Sequence, residues 1–334
     1  MSNTRAAIVT TLRDADPVID SFIRYHLLIG FDHIFLFFDD PRDPSIAKAG
    51  KYRNVTTVIN DGELRRIWKQ TRLYAQDWQL REFLDREVMA RQILNVEVAI
   101  GLAIENRFDW LLHIDVDELF YSPAQTVREH FGALSRGGTR QVTYLNYEAI
   151  PEQVQIEDYF KEVVLFKKAQ QALNGGWYSQ AQLEVIRSVG ALPDSFFLFY
   201  GNGKSAARVD KDLLPAGVHA FQAGGASEAG PVTDPIILHY PGCGFQHFWR
   251  KYKTLGRFAD KWFDEIDIAE TGNTFHIEAR DVVSGNDVGV AKDFYKKRVM
   301  LGDARWVSDL VENDLCCFIY EPSRLLRTRE TTPR

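Results

Sequence analysis

The sequence has little cysteine and no long apolar run, and both absences exclude classes of protein. Three cysteines among 334 residues, two of them adjacent at Cys316 and Cys317, cannot build a disulfide framework, and no zinc-type spacing occurs. The most apolar short run, residues 34–38, is far shorter than the ~20 residues that a bilayer-spanning helix needs. The first residues also lack the apolar core of a signal peptide. We therefore expect a soluble cytoplasmic protein with no transmembrane segment in this chain.

Positive charge is also scarce. Lys and Arg number 40 against 46 Asp and Glu, which gives a formal net charge of -6. A mildly acidic chain lacks the broad basic surface by which proteins bind nucleic acid, so we expect no nucleic-acid partner. A G-x-G-x-x-G loop is missing after the first predicted strand, where residues 10–13 read TTLR, and this excludes a Rossmann dehydrogenase.

What the chain does have is an alternation of strand and helix patterns. Apolar runs predict strands at 6–11, 33–38, 55–59 and 110–114, and helical spacing predicts helices at 18–29 and 77–106. Looser patterns follow, with strands at 141–150, 161–168, 205–209 and 235–239, and helices at 244–264 and 290–312. This order predicts an α/β fold, with a mostly parallel central sheet flanked by helices and a C-terminal helical extension.

The strongest chemical signal is the segment FDWLLHIDVDELF, residues 108–120. Asp115 and Asp117 follow an apolar strand and are separated by one residue, so both carboxylates can turn toward one point. Hard oxygen ligands of this kind suit Mg²⁺ or Mn²⁺ that bridges phosphates. In open α/β sheets, ligands collect at the carboxyl ends of the strands. A haloacid-dehalogenase phosphatase is disfavoured, because its motif needs Thr or Val where this chain has Leu119.

These residues resemble a known family. FDWLLHIDVDELF is similar to the D-x-D segment of GT-A fold glycosyltransferases, most closely the family-92 group and the related family-2-like group. The segments TTLRDADPVIDSFIRYHLLIGFDHIFLFFDD, GKSAARVD with GVHAF, and ILHYPGC with FWRKYKTLGRF resemble other blocks of that group, in the expected order from roughly residue 6 to 260. The resemblance implies a Rossmann-like GT-A domain, with a nucleotide-sugar-binding half at 1–135, an acceptor-binding half at 136–243 and a C-terminal helical segment at 244–334.

The family also implies a donor site. Asp115 and Asp117 would hold a divalent cation, Mn²⁺ or Mg²⁺, on the diphosphate of a nucleoside-diphosphate sugar. UDP is favoured over GDP on family grounds alone. Arg13 stands where many relatives carry Lys-Asn-Glu, and this departure leaves the identity of the base open. The residues expected around the nucleotide sugar are Thr10, Thr11, Leu12, Arg13, Asp39, Asp40, Gln92, Asn95, Asp115, Val116, Lys204 and Lys251. Buried polar capping explains Gln92 and Asn95 nearly as well, and an ordinary surface lysine is the alternative for Lys204.

A third metal ligand is expected from a histidine. His239, in the sequence HYPG, resembles the H-Y-x-G element by which some GT-A enzymes supply an imidazole to the metal, and imidazole is an acceptable ligand for Mn²⁺. His219, in GVHAF, is the alternative. His113 and His26 are interpreted as structural residues.

The acceptor side is less clearly marked. The resemblance favours an inverting transfer to a glycan or another hydroxyl acceptor, which needs a carboxylate as general base. Glu148 and Glu152 flank the end of the strand pattern QVTYLNYEAIPE and are the candidates. Retention of configuration on the same fold, or a non-catalytic nucleotide-sugar or glycan binder, are the alternatives. Candidates for an aromatic acceptor platform are Trp177, Tyr178, Phe196, Phe197 and Tyr200.

Overall fold

A computed structural model describes residues 4–224, 227–229, 234–300 and 306–328. Within these ranges no helix combines the length and the apolar character needed to span a membrane. The strands are β1 (Ala6–Leu12), β2 (His33–Phe38), β3 (Val55–Ile59), β4 (Trp110–His113), β5 (Glu118–Tyr121), β6 (Gln141–Tyr144), β7 (Asn146–Ala149), β8 (Leu165–Lys167), β9 (Lys204–Arg208), β10 (Leu214–Ala216), β11 (Ala220–Gln222), β12 (Ser227–Ala229), β13 (Ile236–His239), β14 (Lys261–Trp262), β15 (Ile266–Asp267) and β16 (Cys316–Phe318).

The helices follow the same chain order. They are α1 (Ile19–Ile29), α2 (Ser45–Ala49), α3 (Gly62–Trp68), α4 (Arg72–Gln76), α5 (Trp78–Phe83), α6 (Val88–Glu105), α7 (Val127–Gly137), α8 (Tyr159–Glu162), α9 (Gln180–Ser188), α10 (Phe245–Leu255), α11 (Thr274–Ser284), α12 (Val288–Arg298), α13 (Trp306–Glu312) and α14 (Glu321–Thr328). Short 3₁₀ turns lie at Gln170–Ala172, Asn174–Gly176 and Pro193–Ser195.

The chain folds as two compact units that interleave in sequence. Unit 1 comprises Met1–Leu145 and Asn202–Ile237, and unit 2 comprises Asn146–Gly201 and Leu238–Arg334. These limits differ from the predicted segments 1–135, 136–243 and 244–334. The reason is β9, which follows a long excursion of the chain and then pairs with β4 and β6 of unit 1.

Unit 1 is built on a seven-stranded sheet with the order β12-β6-β9-β4-β1-β2-β3. The pairs β1–β2, β1–β4, β2–β3 and β6–β12 are parallel, whereas β9 runs antiparallel to both of its neighbours. Every residue of β1 is buried, as expected for a central strand with helices packed over it, and α6 and α7 pack against it. The predicted α/β fold with a mostly parallel sheet is confirmed.

Local signals explain the borders of the elements around this sheet. Helix α1 ends at Gly30, which adopts a left-handed conformation with φ 109° and so terminates the helix. Helix α7 begins at a capping box, in which Thr126 and Glu129 satisfy each other's backbone amides. The acids 115–118 follow β4, as predicted, and therefore lie at the carboxyl end of a strand next to β1.

Unit 2 contains the antiparallel strands β7, β8 and β16 and the helices α8 to α14. The predicted strand 141–150 is in fact two strands that divide at Leu145, and 161–168 is the end of α8 followed by β8. Helices α10, α11 and α12 share an aromatic core that includes Phe248, Phe275 and Tyr295. The predicted helix 290–312 corresponds to most of α12 and α13, with residues 301–305 outside the described part of the chain.

Candidate functional site

A tight turn after β4 presents the two aspartates. The backbone amide of Glu118 donates to the carbonyl oxygen of Asp115 at 3.1 Å, and the amide of Asp115 donates to Glu118 Oε2 at 2.6 Å. The Glu118 side chain is fully buried. The two residues therefore fix the turn reciprocally, and the Asp115 side chain leaves the strand in a defined direction.

Both carboxylate oxygens of Asp115 accept hydrogen bonds. Lys204 Nζ lies 2.7 Å from Asp115 Oδ2, and Gln92 Nε2 lies 3.0 Å from Oδ1. The same ammonium lies 3.8 Å from Glu118 Oε2. The Lys204 side chain is 1% exposed, whereas that of Asp115 is 25% exposed. The structure thus unites the predicted residues Asp115, Gln92 and Lys204, and it shows that Lys204 is not a surface lysine.

The charges of this cluster control its titration. Burial would raise the pKa of Asp115, but the Lys204 ammonium and neighbouring imidazoles outweigh it and hold that pKa well below its usual value. Burial raises the pKa of Glu118 well above its usual value, although Lys204 opposes this. Burial would lower the pKa of Lys204, yet Asp115 and Glu118 raise it overall. At neutral pH, Asp115 and Lys204 are therefore an ion pair.

Lys204 is positioned by its own strand and by the glycine before it. Gly203 has φ +77°, and a Cβ atom at this position would collide with the backbone of Tyr144, so only glycine fits. The Gly203 carbonyl accepts a hydrogen bond from His219 Nδ1 at 2.9 Å. The His219 imidazole also contributes to the low pKa of Asp115. His219 is therefore part of the surroundings of Asp115 within unit 1.

Buried polar contacts fix the end of β1. Thr10 Oγ1 donates to the carbonyl of Ile114, and Asn95 Nδ2 donates to Thr11 Oγ1 at 2.9 Å. Asn95 Oδ1 in turn accepts from Trp68 Nε1 at 2.9 Å. Asn95 is buried, and its bonds make it a connection between α6, α3 and β1. Leu12 is buried beside them.

Asp39 and Asp40 follow β2 and have different hydrogen-bond and ion-pair partners. Asp39 accepts a bidentate pair from Arg91, at 2.5 Å from Nε and 2.9 Å from Nη2, and both side chains are nearly buried. Asp40 lies 3.6 Å from the exposed Arg13. Hydrogen bonds from the Arg42 backbone and side chain lower the pKa of Asp40. Arg91 was not a predicted site residue, although it lies one helical turn before Asn95 on α6.

His239 and Lys251 belong to unit 2. The His239 ring is buried and stacks on Tyr200 with ring centroids 4.9 Å apart, with Phe199 edge-on at 5.5 Å. Lys251 Nζ lies 5.1 Å from the centre of the Phe199 ring. Asp117 and Val116 are half-buried in unit 1. Among the described residues, no three His, Cys, Asp or Glu side chains are grouped so that they could hold a metal ion.

Glu148, a predicted base, is a buried residue of unit 2. Lys167 Nζ lies 2.7 Å from its Oε1, and both side chains are 1% exposed. The backbone amides of Leu198 and Phe199 donate to the same carboxylate at 3.0 Å. These contacts identify a structural anchor that sequence reasoning missed, because Lys167 lies on another strand. Glu152, the second base candidate, is exposed.

The aromatic residues predicted to bind the acceptor differ in their exposure. Trp177 is 76% exposed, whereas Phe196 is 1% exposed and belongs to a hydrophobic core with Ile186 and Leu310. Tyr178 and Phe197 pack at the edge of the same core. Phe196 is therefore a core residue, and Trp177 keeps the exposed ring face that carbohydrate stacking requires.

No protein-family model matches the chain. The chain is similar to two curated proteins of Arabidopsis thaliana that are both described as glycosyltransferase-like. One is 26% identical over 320 residues, which are 92% of this chain and 68% of the relative. The other is 29% identical over 230 residues, which are 66% of this chain and 43% of the relative. The chain spans only part of each relative, and the two similarities support the predicted class of enzyme, a glycosyltransferase.

Solved structures give weaker likenesses. The mannosyltransferase Ktr4p from S. cerevisiae is 12% identical, with 46% of this chain and 41% of that chain covered and a TM-score of 0.27. Core-mannan synthase A from Aspergillus fumigatus, in its Mn/GDP form, is 9% identical, with 63% and 60% covered and a TM-score of 0.28.

Proposed function

We propose that this chain is a metal-dependent glycosyltransferase that transfers a sugar from a nucleoside diphosphate, with UDP favoured, to a hydroxyl group of a glycan or another acceptor. The observation that carries the proposal is the ion pair of Asp115 and Lys204 at the carboxyl end of β4. It keeps a partly exposed carboxylate ionised at the edge of a parallel sheet, where α/β proteins bind their ligands.

The residues present suit a divalent cation. Asp115 and Asp117 offer hard carboxylate oxygens, which Mg²⁺ and Mn²⁺ prefer. Mg²⁺ is commonly bound by one or two carboxylates together with substrate phosphates, without a complete protein cage. When bound, the cation would neutralise charge on the leaving diphosphate.

The third ligand is proposed to be His239 or His219. The resemblance to GT-A enzymes favours His239. The geometry within unit 1 favours His219, because its Nδ1 donates to the Gly203 carbonyl. Imidazoles that bind metals through one ring nitrogen usually donate from the other nitrogen to a carbonyl or carboxylate.

Other residues of the chain would orient the donor. Gln92 and Lys204 hold the Asp115 carboxylate from both sides. The ends of β1 and β2, with Arg13 and Asp40, would contact the nucleoside, and acids there can accept hydrogen bonds from a base or ribose. Lys251 would supply positive charge to the diphosphate.

An inverting transfer needs a base that can reach the acceptor hydroxyl. Glu152 is exposed and remains our candidate. Glu148 is 1% exposed, and its carboxylate oxygens already accept from an ammonium and two backbone amides, so they are not offered to an acceptor hydroxyl. The anomeric configuration of the first product, read by NMR, distinguishes an inverting from a retaining transfer.

The test is donor turnover by Asp115→Asn and Asp117→Asn, measured as nucleotide release from UDP-sugars and GDP-sugars with Mn²⁺. We expect each variant to lose about 10²-fold or more in rate, the scale of removing one group that stabilises a leaving charge. Asp293→Asn, on the exposed face of α12, is the control and should keep full activity. Turnover by both variants in excess EDTA would overturn the metal role, and nucleotide binding without any turnover would indicate a binding protein.

A further inference from the structure

Lys204 faces the three acids of the turn after β4, namely Asp115, Asp117 and Glu118. Its ammonium is 2.7 Å from Asp115 Oδ2 and 3.8 Å from Glu118 Oε2. The Asp117 carboxylate also acts on it electrostatically. The side chain is 1% exposed and comes from β9, an antiparallel strand inserted between β4 and β6. The buried Lys204 ammonium thus already neutralises part of the negative charge of the turn that is proposed to bind the metal.

We propose that Lys204 is a resident cation that makes divalent-metal binding at Asp115 and Asp117 conditional on a diphosphate. This inference rests on the proposed function. A divalent ion on Asp115 would lie within a few ångströms of the Lys204 ammonium, and two like charges on one carboxylate repel each other. The metal alone therefore binds weakly.

A diphosphate changes this balance, because it brings negative charge to both cations at once. An ammonium has three N–H donors, so Lys204 can keep its hydrogen bond to Asp115 and donate another to a phosphate oxygen. The metal and the nucleotide are then bound together, and Lys204 is a positioning residue for both. Burial keeps the Lys204 ammonium beside Asp115, because the side chain could reach solvent only by exposing its apolar stem to water.

The experiment measures Mn²⁺ binding by the electron paramagnetic resonance of free Mn²⁺, with and without UDP, and corrects for Mn²⁺ held by UDP alone. The proteins are the wild type, Lys204→Met, Lys204→Arg and the control Lys211→Met, which changes an exposed lysine of the same unit. We expect UDP to tighten Mn²⁺ binding to the wild type and to Lys211→Met by about tenfold or more, the scale of one close charge pair near a protein surface.

Lys204→Met should bind Mn²⁺ alone about tenfold more tightly than the wild type, because the repulsion is gone. Lys204→Arg keeps the charge and should keep the dependence on UDP. Equal affinity of the wild type and Lys204→Met for Mn²⁺ alone would overturn the inference. Tight binding of Mn²⁺ alone by the wild type would do the same, even if Lys204→Met does not fold.

The two proposals fail in different ways. If no nucleotide raises the melting temperature of the wild type, the proposed function is wrong. The comparison of wild type and Lys204→Met with Mn²⁺ alone needs no nucleotide, so it decides the role of Lys204 independently.

Discussion

Each unit contains a buried lysine paired with a carboxylate, and the two pairs differ in what surrounds them. Lys204–Asp115 in unit 1 and Lys167–Glu148 in unit 2 both have nitrogen–oxygen distances of 2.7 Å and lysines that are 1% exposed. Glu148 is also 1% exposed, whereas Asp115 is 25% exposed and two residues away from a second aspartate. The two lysines are therefore equally buried, whereas the two acids differ in their exposure to solvent.

The partners of the acid separate a structural pair from a functional one. Glu148 is satisfied by two backbone amides, and Lys167 donates additionally to the carbonyl of Phe196 at 2.6 Å. These bonds fix residues 196–199 against β7 and β8. Asp115 instead keeps an exposed edge beside surplus negative charge, so it can accept a further cation or ligand. A buried lysine occurs in both pairs, so the exposure of the acid is the property that distinguishes the candidate functional site from the structural pair.

The largest expected effect comes from breaking the pair in unit 2. Glu148→Ala leaves Lys167 charged and buried without its partner, and we expect a loss of about 3–5 kcal/mol in the free energy of unfolding. Urea denaturation measures it. Asp115→Asn should cost less, about 1–3 kcal/mol, because the new side chain can accept from only one of the two donors that Asp115 holds, while Glu118 and Asp117 still act on Lys204.

Two further variants sharpen this result. Glu312→Ala changes an exposed glutamate on α13 and should alter stability by no more than about 0.5 kcal/mol. The double change Glu148→Leu with Lys167→Met removes both charges and should recover only part of the loss, since the amides of Leu198 and Phe199 still lack an acceptor. Equal effects of Glu148→Ala and Glu312→Ala would contradict the anchoring role.

Acid should weaken unit 1 before unit 2. Burial lowers the pKa of His26 and of His113 to about 3 and that of His130 to about 4, all in unit 1. Their neutral forms stabilise the fold fully above pH 6.5. As the pH falls from 6.5 toward these values, the histidines become protonated in the unfolded chain but stay neutral in the folded chain. Each histidine therefore lowers the free energy of unfolding by at most about 1.4 kcal/mol per pH unit.

Hydrogen exchange with mass spectrometry between pH 7 and 5, corrected for the intrinsic exchange rate, checks this. Amides of β1 and β4 should lose protection at higher pH than amides of β7 and β8. His26→Asn should reduce the pH dependence, because the ring nitrogens of His26 are bonded to the Phe22 carbonyl and the Phe120 amide in the neutral form. Earlier loss of protection in unit 2 would show that other groups control acid stability.

The smallest stability change expected at a contact, as distinct from a control position, is at the ion pair of Arg13 and Asp40, which follow β1 and β2. Arg13→Gln breaks a contact of 3.6 Å between Arg13 and Asp40, and we expect less than about 1 kcal/mol of lost stability. The rise in melting temperature caused by UDP with Mn²⁺ should nevertheless fall, if Arg13 contacts the nucleoside. An unchanged rise would place Arg13 outside the nucleoside pocket.

Local patterns were enough to predict the four strands β1, β2, β3 and β4 of unit 1. The apolar runs of β1, β2 and β4 are buried strands because each is covered on both faces, and such strands need no alternation. The position of the acids after β4 follows directly from the end of that run. The C-terminal border of α1 could be located for a similar reason, since the Gly30 cap depends on adjacent residues.

Contacts between distant segments could not be predicted. Lys204 lies 89 residues from Asp115 in sequence, and Lys167 lies 19 residues from Glu148. Whether a lysine is exposed or buried between strands depends on which strands become neighbours, and no local pattern contains that information. The division at Leu145 was missed because β6 and β7 read as one continuous strand pattern, although they belong to different units.

The pairing of β6 with β9 has a practical consequence for protein engineering. Tyr144 lies opposite Lys204 in this antiparallel register, so the chain leaves unit 1 and returns to it at adjoining positions. Residues 146–201 are thus an insertion between two paired strands, β6 and β9. A short turn would be long enough to connect the end of β6 to the start of β9. Grafting a different stretch between these strands would replace that part of the protein while retaining the lysine beside Asp115.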